Sequence, residues 1–116
     1  MQNRSLSNNH YFIDFWGCDT EQIESIDFWK ETLFNAANEG ELEVIDSLFH
    51  KFEPQGFTAL LLLATSHLSI HTWPEDKYVA CDLFSCSGEK NAEKAVEYLL
   101  KKIKHNKYKL KKAIRN

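Results

Sequence analysis

Leu68-Ser69-Ile70-His71-Thr72-Trp73-Pro74-Glu75-Asp76-Lys77-Tyr78-Val79-Ala80-Cys81-Asp82-Leu83-Phe84 reads as a β-hairpin, and the rest of the chain is interpreted outward from it. Leu68, Ile70 and Thr72 alternate against His67, Ser69, His71 and Trp73. Past the turn, Val79, Cys81 and Leu83 alternate against Tyr78, Ala80, Asp82 and Phe84. Such period-two patterning on both sides of Pro74-Glu75-Asp76-Lys77 is the signature of two paired strands, here 66–73 and 77–86. Register logic makes paired positions sum to about 150 or 151, which sets Cys86 across from Ala64 or Thr65 and beside Ser66. One face of this hairpin is apolar. The other carries hydroxyl and imidazole groups.

Outward from the hairpin the same periods recur. Tyr11 to Trp16 reads as a first strand. Asp19, with Gln22 three residues on, resembles a capping box and opens a helix with Ile23, Ile26, Trp29, Leu33, Ala36 and Ala37 on one face. Gly40 is expected to end it as a left-handed cap. Leu42 to Phe52 makes a second strand, stopped by Pro54 and Gly56, and Phe57 to Ala64 a short apolar central one. Ala92, Ala95, Val96, Leu99, Leu100 and Ile103 form the clearest helical stripe. Tyr108, Leu110 and Ile114 suggest a short basic final strand. Mostly antiparallel strands with two amphipathic helices predict an α+β two-layer sandwich with both helices on one face of the sheet. The polar and aromatic face is expected to meet a second subunit.

Composition bounds the function. A chain of 116 residues is read as a single domain, 1–116, with room for a modest core. A hydrophobic fraction of 43% argues against disorder. No apolar run approaches the roughly 18 residues of a membrane span, and Met1 to Asn9 lacks the apolar stretch of a secretory signal. Three cysteines without a CxxC suit a reducing, cytoplasmic setting. Residues 1–100 carry 6 Lys and Arg against all 17 Asp and Glu, a balance of −11, whereas residues 101–116 carry 8 basic residues and no acid. A basic tail is a possible contact for nucleic acid or anionic lipid. Its apolar alternation reads as folded, which favours a tail that balances the acidic body or complements a neighbouring subunit, with no nucleic-acid or membrane partner.

Several segments together resemble the small prokaryotic S-adenosylmethionine decarboxylases. They are His10 through an apolar strand to Gly17-Cys18-Asp19, then Phe49-His50-Lys51-Phe52, then Pro54-Gln55-Gly56-Phe57-Thr58. The signature Ser66-His67-Leu68-Ser69-Ile70-His71-Thr72-Trp73-Pro74-Glu75 follows, with Asp82 to Cys86 downstream. The likeness spans about residue 10 to about residue 104. It implies a chain that makes a pyruvoyl cofactor from its own serine. The Ser66 hydroxyl would attack the Thr65 carbonyl, converting peptide to ester. Loss of the serine α-proton then eliminates the ester, and hydrolysis of the resulting dehydroalanine yields pyruvoyl and ammonia. The products would be residues 1–65 and residues 66–116.

The resemblance also assigns roles. His71 would be the base that takes the α-proton during elimination. Cys86 would return a proton to the substrate carbon after carbon dioxide leaves. The ketone at position 66 would form a Schiff base with the substrate amine and accept electrons from the breaking C–C bond. Phe52 and Trp73 would sandwich the adenine of S-adenosylmethionine, and Glu75 would bind its ribose. The decarboxylated product would donate aminopropyl groups for spermidine synthesis. A homodimer with sites at the interface is implied. Two positions depart from the family pattern: Thr65 stands where a glutamate usually precedes the serine, and Thr58 where a serine assists processing. Threonine keeps a hydroxyl at 58, though its β-branch stiffens χ1. Cys81 reads as a small core residue, Cys18 as structural at a turn, and His67 as a packed or solvent-facing strand residue. No His/Cys cluster has zinc spacing, so no metal is expected. Two other functions fit the same residues: a pyruvoyl-dependent decarboxylase of ornithine or arginine, and an unprocessed regulatory homologue. Retention of Phe52, Trp73 and Glu75 argues against the first, and the His71–Cys86 pair against the second.

Overall fold

A computed structural model of the chain describes residues 8–64 and 66–115. Alternation decides its strands. β1 (Asn8–Trp16) turns Tyr11, Ile13 and Phe15 inward. β2 (Val44–Lys51) is an exposed edge, whereas β3 (Phe57–Leu63) buries Phe57, Ala59, Leu61 and Leu63. β4 (His67–Trp73) and β5 (Tyr78–Ser85) bury Leu68, Ile70, Thr72, Val79, Cys81 and Leu83, the residues that the hairpin reading assigns to its apolar face. β6 (Lys107–Arg115) closes the opposite edge. All neighbours are antiparallel, and the six strands lie in the order β2-β3-β4-β5-β1-β6.

Two long helices, α2 (Ile26–Glu39) and α3 (Glu89–Lys102), cover one face of this sheet. Trp29, Leu33, Ala36 and Ala37 of α2 join Ala92, Ala95, Val96 and Leu99 of α3 in one core with the inward strand residues. Each large side chain wholly withdrawn from water there stabilises the fold by about 1.5–3 kcal/mol over leaving it exposed. The α+β two-layer sandwich is thus the observed architecture.

Local details differ from the sequence reading. Asp19 caps only a four-residue helix, α1 (Thr20–Ile23), through its Oδ1 with Glu21 N and Gln22 N. The reciprocal half of the capping box is absent because the Gln22 amide reaches instead to Lys102 O and Lys104 N. A fresh cap, Ser25 Oγ accepting from Phe28 N, starts α2. Gly40 is not left-handed, with φ −88°. The positive φ falls on Glu41, at 55°, and Gly40 is needed for space, since a Cβ there would lie 2.6 Å from Asn91 O of α3. The final strand is nine residues long and pairs with β1 along its whole length.

Candidate active site

The uncovered face of the sheet carries the chemistry. His67, Ser69, His71 and Trp73 of β4 project there, flanked by Thr58, Leu60 and Leu62 of β3 and by Tyr78, Ala80, Asp82 and Phe84 of β5. His10, Phe12, Asp14 and Trp16 of β1 extend the same face. It is partly greasy: Phe12 is 40%, Leu48 65%, Leu60 38% and Leu62 48% exposed.

Ser66 stands one residue before β4, joined to the end of β3 by Leu63 N to Ser66 O (2.9 Å) and Ser66 N to Leu63 O (3.2 Å). Its Oγ is buried and has no hydrogen-bond partner among the described residues. A buried hydroxyl without a partner costs free energy, so this one is a stored polar atom. Thr65, the residue before it, lies outside the described residues. Ser66 shares a cleft of ≈ 480 Å³ with Thr58, Leu60, Leu62, His67, Ser69 and His71. The strand separates its two chemical ends, however. Five residues at ~3.3 Å each put Ser66 and His71 of one chain about 16 Å apart.

His71 sits opposite Thr58 in the β3–β4 register, with Thr58 Oγ1 3.0 Å from His71 Nδ1. A second cleft, of ≈ 320 Å³, gathers Phe52, Gly56, Thr58, His71, Trp73 and Glu75. The three residues suggested for substrate recognition, Phe52, Trp73 and Glu75, therefore line one space. Its walls are braced from below. Phe52 N bonds Gly56 O at 2.9 Å, Phe57 N bonds Thr72 Oγ1 at 2.8 Å, and Gly56 N reaches Glu24 Oε1 at 3.3 Å. Gly56 has φ 101°, and a Cβ there would lie 3.2 Å from Thr72 O. Trp73 stacks on Tyr78, and Tyr78 on Trp16, with centroids 5.2 and 5.8 Å apart. The Tyr78 hydroxyl donates to Asp14 Oδ1 at 2.5 Å. Burial, that bond and the Asp14 charge push the Tyr78 phenol up to about 12.

Asp82 ties together a cluster that the sequence reading missed. Its Oδ1 accepts from Ser69 Oγ at 2.7 Å and lies 3.4 Å from His67 Nε2, while Oδ2 lies 3.1 Å from His10 Nε2. The donor atoms of His10, His67 and Asp82 all fall within 4.8 Å of one another, a grouping of the kind able to hold a metal ion. Three strands supply them, so no spacing along the chain announces the cluster. His67, read as an ordinary strand residue, is one of its members.

The cysteines are separated by environment. Cys18 and Cys81 are buried, and burial raises the Cys18 thiol to about 11 and the Cys81 thiol higher still, with the Asp82 charge adding to the latter. Cys86 is half-buried and follows the last residue of β5. The observed register, with His67 opposite Phe84 and Trp73 opposite Tyr78, sums to 151. Continued past the strand end, it sets Ser85 level with Ser66, and Cys86 is the next residue along.

Comparison with known proteins bears directly on this face. The family model described as S-adenosylmethionine decarboxylase matches residues 9–116. The chain belongs to the S-adenosylmethionine decarboxylase family. A relative from Clostridium botulinum, an S-adenosylmethionine decarboxylase proenzyme, is 38% identical over 109 residues, 94% of each chain. The proenzyme of Pyrococcus abyssi is 41% identical over 96 residues, 83% of this chain and 69% of that one. Among solved structures, the adenosylmethionine decarboxylase from Aquifex aeolicus superposes with a TM-score of 0.89 at 30% identity, covering 95% of this chain and 91% of that one. The Trypanosoma brucei AdoMetDC-delta26 monomer shares the fold, at TM-score 0.65 and 13% identity, covering 93% of this chain and 46% of that one.

Proposed function

We propose that this chain decarboxylates S-adenosylmethionine with a pyruvoyl group made from its own Ser66, after self-cleavage between Thr65 and Ser66. The observation that carries the reading is the placement of Ser66 at the end of the β3–β4 hairpin. There its buried hydroxyl has no partner among the described residues, and the residue itself borders the cleft that His71 also lines. A hydroxyl with no competing hydrogen bond is available to attack the preceding carbonyl. The residues present fit a group of this kind, since the cofactor's precursor is the serine itself. Once formed, a ketone at position 66 would supply an electron sink for the substrate's amine-bearing carbon.

The rest is work for the chain's own side chains. His71, oriented through Nδ1 by Thr58, would take the Ser66 α-proton during elimination. The Thr58 hydroxyl would serve where the family pattern has serine. Phe52 and Trp73 would hold a flat base between them, with attraction between ring faces and the sulfonium cation, and Glu75 would accept hydrogen bonds from the ribose hydroxyls. Cys86 would return a proton to the substrate carbon.

The same reading includes a second copy on the uncovered face. About 16 Å of strand separates Ser66 from His71 within one chain. A two-fold axis running across β4 between two facing sheets, at the level of Leu68 and Ser69, carries each Ser66 over the partner's His71. It also removes Phe12, Leu60 and Leu62 from water. The site is complete only in the pair. Processed dimers in the cytoplasm complete the proposal.

Intact mass and carbon dioxide release test it together. Purified protein should resolve into residues 1–65 and 66–116, the latter reactive toward carbonyl reagents. It should also release labelled carbon dioxide from carboxyl-labelled S-adenosylmethionine. A single full-length chain after long incubation would falsify the proposal.

A further inference from the structure

Conversion of residue 66 to a ketone, as proposed above, costs that residue its nitrogen. Of the two backbone bonds between residue 66 and Leu63, the one donated by Ser66 N at 3.2 Å then has no donor, and only Leu63 N to the residue 66 carbonyl, at 2.9 Å, remains. The covalent link to β3 is gone as well. Pairing of β4 begins at His67, opposite Phe84 of β5 and Leu62 of β3, one residue short of the new end on both sides. Chain ends with so few constraints fray with free energies near zero. A reacting ketone cannot fray, because displacement by about 1 Å is enough to cost about 10²-fold in rate.

The uncovered face holds a replacement anchor. His67 is the first residue with a side-chain tie, and that tie runs away from β3, to Asp82 Oδ1 at 3.4 Å. The carboxylate is itself fixed on both oxygens, by Ser69 Oγ at 2.7 Å and by His10 Nε2 at 3.1 Å. The His10 ring stacks on Phe12 at 4.2 Å and leans on Phe84 at 5.4 Å, and Phe84 lies 6.1 Å from His67. The tie thus spans β4, β5 and β1, none of which is severed by a cut at residue 66.

We infer that Asp82, held by Ser69 and His10, grips His67 and so positions residue 66 in the cut chain, which makes Asp82 and His10 positioning residues for the reaction. Neither touches the reacting atoms. They act through His67, and their importance is confined to the form of the protein that has lost its β3–β4 link. The inference rests on the self-cleavage reading and on that reading alone.

Hydrogen exchange read by mass spectrometry on residues 66–72 separates the possibilities. Four proteins are compared: cut wild type, cut Asp82→Asn, and uncut Ser66→Ala with and without Asp82→Asn. The amides of 67–69 should exchange about tenfold faster in cut Asp82→Asn than in cut wild type, with less than about a twofold difference between the uncut pair. Turnover of S-adenosylmethionine by cut Asp82→Asn should fall in kcat by up to about 10²-fold, with KM moving less than about threefold. His10→Gln, which leaves the Asp82–Ser69 bond intact, should move both readouts the same way by a smaller amount, and it serves if Asp82→Asn does not fold. Equal exchange in the two cut proteins overturns the inference, as does equal acceleration in the uncut pair, which would mark a general structural role. Failure of a folded Asp82→Asn to cut overturns it too, since the network would then act earlier. So does one equivalent of zinc in the wild type that Asp82→Asn loses, because the three groups would then be ligands. A wild type that never cuts removes the function reading and this inference together, and its mass alone reveals it.

Discussion

Thr58 and His71 face each other across β3 and β4, Oγ1 to Nδ1 at 3.0 Å, and this contact decides which nitrogen of the imidazole is free. For His71 to take a proton at Nε2, Nδ1 must be the donor to Thr58. Thr58→Val keeps the shape but removes the acceptor, so cutting at Ser66 should slow by about 10- to 100-fold, within the range of a misoriented general base. Thr58→Ser should cut at close to the wild-type rate. His71→Ala should stall as an ester that hydroxylamine cleaves. The readout is the time course of intact mass. Normal cutting by Thr58→Val would remove the hydroxyl from the mechanism.

Separation of Ser66 and His71 along one strand gives a test of the paired assembly. Ser66→Ala and His71→Ala should each remain uncut alone. Co-expressed with distinguishable masses, they form mixed dimers in which one of the two sites has both an intact serine and the partner's intact histidine. Every His71→Ala chain in such a dimer should be cut, which is about half of all His71→Ala chains when pairing is random, and none of the Ser66→Ala chains. No cutting in mixed dimers would mean that the site is built within one chain.

Cys86 is distinguished from the other thiols by exposure. Cys18 and Cys81 are buried, so a thiol reagent at neutral pH should label Cys86 first and the others only on unfolding. Its proposed task in turnover is sharper. Protonation at the substrate carbon completes a cycle, whereas protonation at the cofactor carbon leaves alanine at position 66. Cys86→Ser is a far weaker acid, and should turn over about 10²- to 10⁴-fold more slowly. Its 66–116 chain should also gain an N-terminal alanine during the reaction, visible by mass. Cys81→Ser should show no such product. Wild-type turnover by Cys86→Ser, with no alanine, would reassign the acid.

Most of the fold was legible because the hairpin's period of two holds from Leu68 to Trp73 and again from Tyr78 to Phe84, and the buried set matches it residue by residue in both strands. The break between α1 and α2 was not, since Ile23 and Ile26 keep helical spacing straight across Ser25. The full length of β6 was hidden for the opposite reason: its residues are nearly all exposed, leaving little apolar period to read. At the site, the family resemblance groups Phe52, Trp73 and Glu75, and the three line one cleft. The Asp82 cluster could not be read in advance, because proximity of residues 10, 67 and 82 is created only by strand order.

Tyr78 offers a pH test of the aromatic floor under the second cleft. Its folded-state value, about 12, lies above the ordinary phenol value of 10.0. The stabilisation this represents is whole below pH ~10, the unfolded value, and is lost as pH rises toward the folded one. Urea midpoints should therefore fall between these limits more steeply for wild type than for Tyr78→Phe. Parallel curves for the two proteins would mean that the phenol is not specially held.

One consequence of β6 concerns what the sheet does not do. A nine-residue edge is a template on which a strand from another molecule could add, at a spacing of about 4.8 Å. Lys107, Lys109, Lys111 and Arg115 line this one, while Lys112 pairs with Glu89 and Glu93 of α3, so edge-to-edge addition of two copies would bring eight cations into register at distances well inside a Debye length of about 8 Å. Polymerisation along that border is resisted by charge. Exchange of the lysines for glutamine should leave the reacting groups intact yet shift the protein toward fibres and precipitates as concentration rises, an effect that added salt would mimic in the unaltered chain.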